Sequence, residues 1–229
     1  PMSTRTMLAV LGFCLATPAV ADTFIVDPAG NGDYLSIQTA LRWAPEGSTI
    51  AVVPGVYESF GVDGDESNAL TVEAIDWAPA GSVVIQAAAI DHAAISLSEF
   101  AEMTFRNLVV RTAGHDLVRV TDSDVVFEGC RLENGDGTGL TIFGESNVTF
   151  ADGVISGMAG GGIDMHHVRG TVTVVDSRIE QNQNDVGGAI ANPGTISSIP
   201  TGAAVAPVFN PGVAAHALAA VVSHRASAH

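Results

Sequence analysis

The chain has 229 residues, 47% of them hydrophobic, enough for one domain with a substantial core. It carries 25 Gly, 6% aromatic residues and a formal net charge of −16. All nine basic residues are Arg, so lysine chemistry such as a Schiff base or a P-loop is excluded, and so acidic a surface repels DNA, RNA and anionic lipid.

Residues 1–21 read as a secretory signal peptide. Arg5 supplies the positive start, Met7 to Ala16 the apolar stretch, and Ala19-Val20-Ala21 a small-x-small cleavage site before Asp22. The apolar stretch is too short to span a bilayer, and Phe13 before Cys14 argues against a lipid anchor. The expectation is a secreted or periplasmic protein with no membrane insertion after signal removal. Cys130 is then the one cysteine left, so no intramolecular disulfide can form despite the export context.

Residues 22–48 are expected to form an N-terminal cap. Leu35 to Trp43 (LSIQTALRW) places Ile37, Ala40, Leu41 and then Ala44 at helical spacing, just before Pro45-Glu46-Gly47. Such a short amphipathic helix suits the open end of a solenoid. Ser48 to Val53 starts the first coil, and Pro54-Gly55 turns it.

Beyond residue 90 the chain repeats itself. FRNLVV from Phe105, FEGCRL from Phe127, FADGVI from Phe150 and VVDSRI from Val174 recur at spacings of 22, 23 and 24 residues. Each follows a strand-like segment: 94–97, 117–120, 140–143 and 162–165. Period-2 alternation assigns the faces. Ile95/Leu97, Val118/Val120, Leu140/Ile142 and Ile163/Met165 point inward from the first strand of each coil. Met103/Phe105, Val125/Phe127, Val148/Phe150 and Val172/Val174 do so from the second, and Val110, Leu132, Ile155 and Ile179 from the third. Cys130 falls on an inward position and reads as inert core filler. Turn positions Asn107, Gly129, Asp152 and Asp176 are expected to stack. Three strands per repeat of ~23 residues describe an all-β parallel β-helix of about six or seven coils over residues 49–200. Residues 201–229 are a low-complexity C-terminal tail or cap, in which 212–223 could form a weakly amphipathic helix.

GDYLSIQTALRWAPEGSTIAVVPGVY, together with the coil pattern from about 50 to 192, resembles the pectin-lyase-like right-handed β-helix superfamily. That superfamily includes pectin methylesterases, pectate lyases and polygalacturonases. The resemblance implies the fold and an association with polysaccharide. FEGCRLENGDGTGL at 127–140 is similar to an esterase stretch that ends in Gln-Asp-Thr-Leu, but Asp136-Gly137-Thr138-Gly139 stands in its place. The other esterase motifs and the polygalacturonase Asn-Thr-Asp, Asp-Asp and Gly-His-Gly set have no counterpart. GGAI at 187–190 resembles a repeat of bacterial surface β-helices.

Function in a solenoid belongs to the outward columns. The first strand offers Ser96, Arg119, Thr141 and Asp164 in one column and Ser98, Thr121, Phe143 and His166 in the next. Arg119 and Asp164 would lie two coils, ~9.6 Å, apart. Phe143 is expected to offer a flat plate to a sugar ring. His92, His115, Asp116 and Asp136 lie in nearby turns. The candidate site is a polysaccharide groove. Arg119, Asp164 and His166 are the catalytic candidates, with Arg119 neutralising a uronate carboxylate or acting as base. Phe143, Thr141, Thr121 and His115 would bind substrate. Calcium is the candidate cofactor, held by Asp116 and Asp136 with Asp164 and bridging protein to polyanion. His166-His167 alternates in and out of the sheet, so the two cannot face one metal and zinc is disfavoured. No Ser stands in a nucleophile elbow.

Two functions stay open. One is a secreted β-helix that binds or processes polysaccharide, lyase- or epimerase-like if it is an enzyme. The other is a non-catalytic envelope or surface β-helix, a glycan-binding or adhesin-type module. An end-to-end oligomer is compatible with either.

Overall fold

The computed structural model describes residues 22–63, 69–87, 93–99, 102–111, 115–183, 190–191 and 204–205. The expected signal peptide, His92, most of GGAI and the expected helix at 212–223 lie outside them. The chain winds in about six coils, each contributing one strand to three parallel sheets. Sheet 1 stacks Phe60–Val62, Ile95–Ser98, Val118–Thr121, Thr138–Phe143, Gly161–His166 and Ile190–Ala191. Sheet 2 runs from Thr23–Val26 and Thr49–Val52 through Leu70–Ala74, Met103–Arg106, Asp124–Glu128 and Asn147–Ala151 to Val172–Val175. Sheet 3 runs from Gly55–Glu58 and Val83–Gln86 through Val109–Arg111, Arg131–Glu133 and Val154–Ser156 to Arg178–Glu180 and Ala204–Val205. All strand pairings among the described residues are parallel, with like positions in register. The last strand lies just past residue 200, inside the stretch read as tail.

The inward columns are those that alternation assigns. Every inward residue named above is at most 3% exposed, Cys130 included. Phe105, Phe127 and Phe150 form a row, with ring centroids 5.2 and 6.2 Å apart, and Phe60 joins it 6.2 Å from Phe105. Stacking like side chains one coil apart packs the core closely and adds to the area buried.

From Ile95–Ser98 onward, strand after strand ends in a turn with a left-handed residue. After sheet 2 these are Asn107, Gly129, Asp152 and Asp176; after sheet 1, Glu99, Asp122, Gly144 and His167; after sheet 3, Asn134, Gly157 and Gln181. Asn, Asp and Gly tolerate this region best. Gly129 has a second reason, because a Cβ there would run into the Asn107 side chain one coil below.

Turning inward also leaves backbone groups away from water, and buried hydroxyls and amides satisfy them. Ser146 Oγ donates to Phe143 O at 2.7 Å and accepts from Ser123 N at 3.2 Å. Ser177 Oγ accepts from Gly153 N at 3.0 Å, and Asn182 accepts from Met158 N at 3.0 Å and donates to Ile155 O at 3.2 Å. Cys130 is part of the same set, since its thiol faces Phe105 O at 3.4 Å one coil away. It is more than filler.

Outside, arginines pair with carboxylates, Arg106, Arg111 and Arg169 across coils and Arg119, Arg131 and Arg178 within their own coil. Arg106 joins Glu128 at 2.9 Å and Glu73 at 3.7 Å, and Arg111 and Arg131 both meet the nearly buried Glu133.

At the N-terminal end, Ser36 caps the helix Ile37–Trp43, which buries Ile37, Ala40 and Leu41, while Ala44 after it is also buried. Gln38 donates to Gly61 O at 2.9 Å and accepts from Gly61 N at 3.0 Å, so its amide stands where a further strand of sheet 1 would pair. The edge is closed by a side chain. Strand Thr23–Val26 pairs with Thr49–Val52 ahead of the helix, so sheet 2 begins inside the stretch read as cap. No helix among the described residues is long and apolar enough to cross a membrane.

Candidate functional site

Parallel register puts the outward residues of sheet 1 into two straight columns. Ser96 pairs with Arg119, Arg119 with Thr141 and Thr141 with Asp164; beside them Ser98, Thr121, Phe143 and His166 align in the same way. Strand Phe60–Val62 extends the first column to Gly61. The two columns expected from the repeat are the two observed.

The side chains form one connected group. His166 and Phe143 stack with centroids 4.9 Å apart and planes 13° from parallel. From the preceding coil, Arg119 lies over Phe143, its Cζ 5.7 Å from the centroid. The ring is therefore covered on both faces, by a guanidinium and by an imidazole, and it presents an edge. This corrects the expectation of a flat plate, because a ring that stacks along the solenoid axis stands upright on the sheet. A cation over such a ring face is attracted by the π-electron density.

Carboxylates hold both ends of the stack. Arg119 Nη2 lies 3.1 Å from Asp116 Oδ2, and His166 Nε2 lies 3.0 Å from Asp164 Oδ2. Arg119 and His166 remain about half exposed, at 48% and 44%, and Asp164 less so, at 25%. Thr141, between Arg119 and Asp164, is 4% exposed, and its Oγ1 meets no partner among the described residues. Thr121 is half-buried, and its carbonyl accepts from Ser123 Oγ at 2.7 Å.

The turn residues behave differently. Asp116 accepts from Arg119 and, through Oδ1, from Thr138 N at 3.2 Å, so it positions Arg119 and pins the next coil. His115 and Asp136 are exposed. Among the described residues no group of three or more His, Cys, Asp or Glu gathers to hold a metal ion. The described residues offer no ready-made calcium cage. His167 does not alternate inward as expected; it takes a left-handed turn with φ 53° and is exposed.

Sequence reasoning missed a recess at the cap end of the same face. Gln38, Arg42, Gly61, Val62, Asp63, Ser96 and Ser98 line about 470 Å³ there. Its signal was present in principle, since Phe60-Gly61-Val62 alternates like the later first strands.

A family model described as a right handed beta helix region matches residues 74–198. No curated protein matches the chain. Among solved structures it is similar to the Aspergillus niger pectin methylesterase in a penultimately deglycosylated form, with 14% identity, a TM-score of 0.48, and coverage of 87% of this chain and 84% of that one. A deglycosylated form of that enzyme gives 16%, 0.46, 82% and 71%. Carrot pectin methylesterase gives 16%, 0.39, 83% and 90%.

Proposed function

The chain belongs to the right-handed β-helix family, and from that premise we propose that it is an exported protein that binds a carboxylate-bearing polysaccharide along the outward face of sheet 1. One observation carries this reading: Arg119, Phe143 and His166 stack in consecutive coils on an open face, flanked by Asp116 and Asp164.

The chemistry follows from the parts. A guanidinium has five donors in a planar fork, and Asp116 takes one of them at 3.1 Å. The fork matches a uronate carboxylate, which it can hold by two parallel hydrogen bonds. Asp116 and the face of Phe143 keep that fork from swinging, so less freedom is lost on binding. The upright edge of Phe143, with Thr121 beside it, gives an apolar strip against which C–H groups of a sugar can rest. Asp164 accepts sugar hydroxyls. The periodicity suits a polymer, since the columns present one set of groups every ~4.8 Å along the axis.

Calorimetric titration with a panel of polyuronates tests the reading. Wild type is expected to bind at least one of them, and Arg119→Ala to weaken that binding by about tenfold or more. A panel that gives no heat with folded wild type would sink it.

A second reading has its own observation. The Asp164–His166 pair at 3.0 Å, beside Thr141, is an arrangement that can move a proton at a sugar carbon, as lyase or epimerase chemistry requires. Formation of unsaturated uronate, followed by absorbance and lost in Asp164→Asn, would favour it over binding alone.

A further inference from the structure

We infer that the recess at the cap end of sheet 1 is a subsite for the terminal sugar of the polysaccharide, so that the protein engages a chain by its end. This rests on the polysaccharide reading above. The recess exists because side-chain size changes along the two columns. Gly61, Ser96 and Ser98 leave the floor low over the first coils, whereas Arg119 and Phe143 rise from the coils that follow.

The far wall is the cap helix. Gln38 is fixed to Gly61 by two hydrogen bonds, so the helix stands across the end of both columns where the next coil would otherwise continue. A polymer lying along the axis from His166 toward the N-terminus runs up against the Gln38 and Arg42 side chains of that helix. Its last unit then faces the Ser96 and Ser98 hydroxyls, the Asp63 carboxylate and the Arg42 and Gln38 side chains. Hydroxyl, carboxylate, guanidinium and amide together are complementary to a ring whose substituents are nearly all hydroxyls. About 470 Å³ lies in the range of small-molecule pockets. Asp164 lies three coils, ~14 Å, beyond Ser96, so the units behind the first reach Arg119 and the stack.

The test uses the full chain, hexagalacturonate carrying a bulky tag at one end or the other, and long polygalacturonate, all followed by calorimetry. The expected result is one protein per polymer chain whatever its length. A tag at one end should weaken hexamer binding by about tenfold, while a tag at the other end changes nothing. Ser98→Phe, which fills the recess, should weaken it comparably with an unchanged unfolding transition. If that variant does not fold, Asp63→Asn serves, with a smaller loss expected. Several proteins per long chain, indifference to both tags and wild-type affinity in the variants would overturn the end subsite while leaving polysaccharide binding intact. Absence of binding to hexamer and polymer alike would overturn both.

Discussion

Thr141 Oγ1 is buried in register between Arg119 and Asp164 without a hydrogen-bond partner among the described residues. An unmet buried hydroxyl costs ~1–3 kcal/mol, and replacing it with an apolar group of the same shape removes that cost. Thr141→Val is therefore expected to raise stability by ~1 kcal/mol in denaturant unfolding. If the hydroxyl serves a ligand, the same variant also weakens polyuronate binding; a purely structural role would move stability alone. At this scale the sequence was only partly legible. The outward side of Arg119, Phe143 and His166 follows from alternation, but their mutual stacking depends on rotamers that no spacing reveals. The Asp116–Arg119 pair, three residues apart across a turn, is likewise a matter of turn geometry.

Between coils, the Phe105–Phe127–Phe150 row runs ring to ring through the core. Phe127 sits in its middle, 1% exposed, with a ring on each side. Phe127→Ala is expected to cost ~3–5 kcal/mol, measured by denaturant unfolding. A loss near ~1 kcal/mol would mean that the neighbouring coils collapse into the space. The elements were legible where repetition made them so. Spacings of 22 to 24 residues carry phenylalanine, valine and the turn residues to matching places, and four coils could be aligned on them. Thr23–Val26 was not legible because its outward Ile25 is as apolar as its inward Phe24 and Val26, so no polar alternation marks the strand. Ser123, Ser146 and Ser177 carry no signal in the apolar repeat, although their buried hydroxyls bond the backbone where the chain turns.

For the molecule as a whole, stability at high pH is set partly by buried neutral acids. Burial pushes the Tyr57 phenol up to about 12 and the Cys130 thiol up to about 11, above ordinary values of 10.0 and 9.0. Both groups keep their protons in the folded state while the unfolded chain loses them. Their contribution is full below pH ~9 and falls as pH rises through 11 and 12. Thermal unfolding should show that decline, and Tyr57→Phe should flatten its upper part. Net charge acts at longer range. At −16 the protein repels a polyuronate before contact, so moderate salt should strengthen association by screening that repulsion. A double-mutant cycle joining Arg119→Ala and Phe143→Ala, read by polygalacturonate titration alongside unfolding transitions, addresses the sheet 1 face directly. Each single variant is expected to bind about tenfold or more weakly with its fold intact, and the double variant less weakly than independent losses would give, a coupling of ~0.5–1 kcal/mol. Wild-type affinity in both single variants would contradict a polysaccharide site built on that stack.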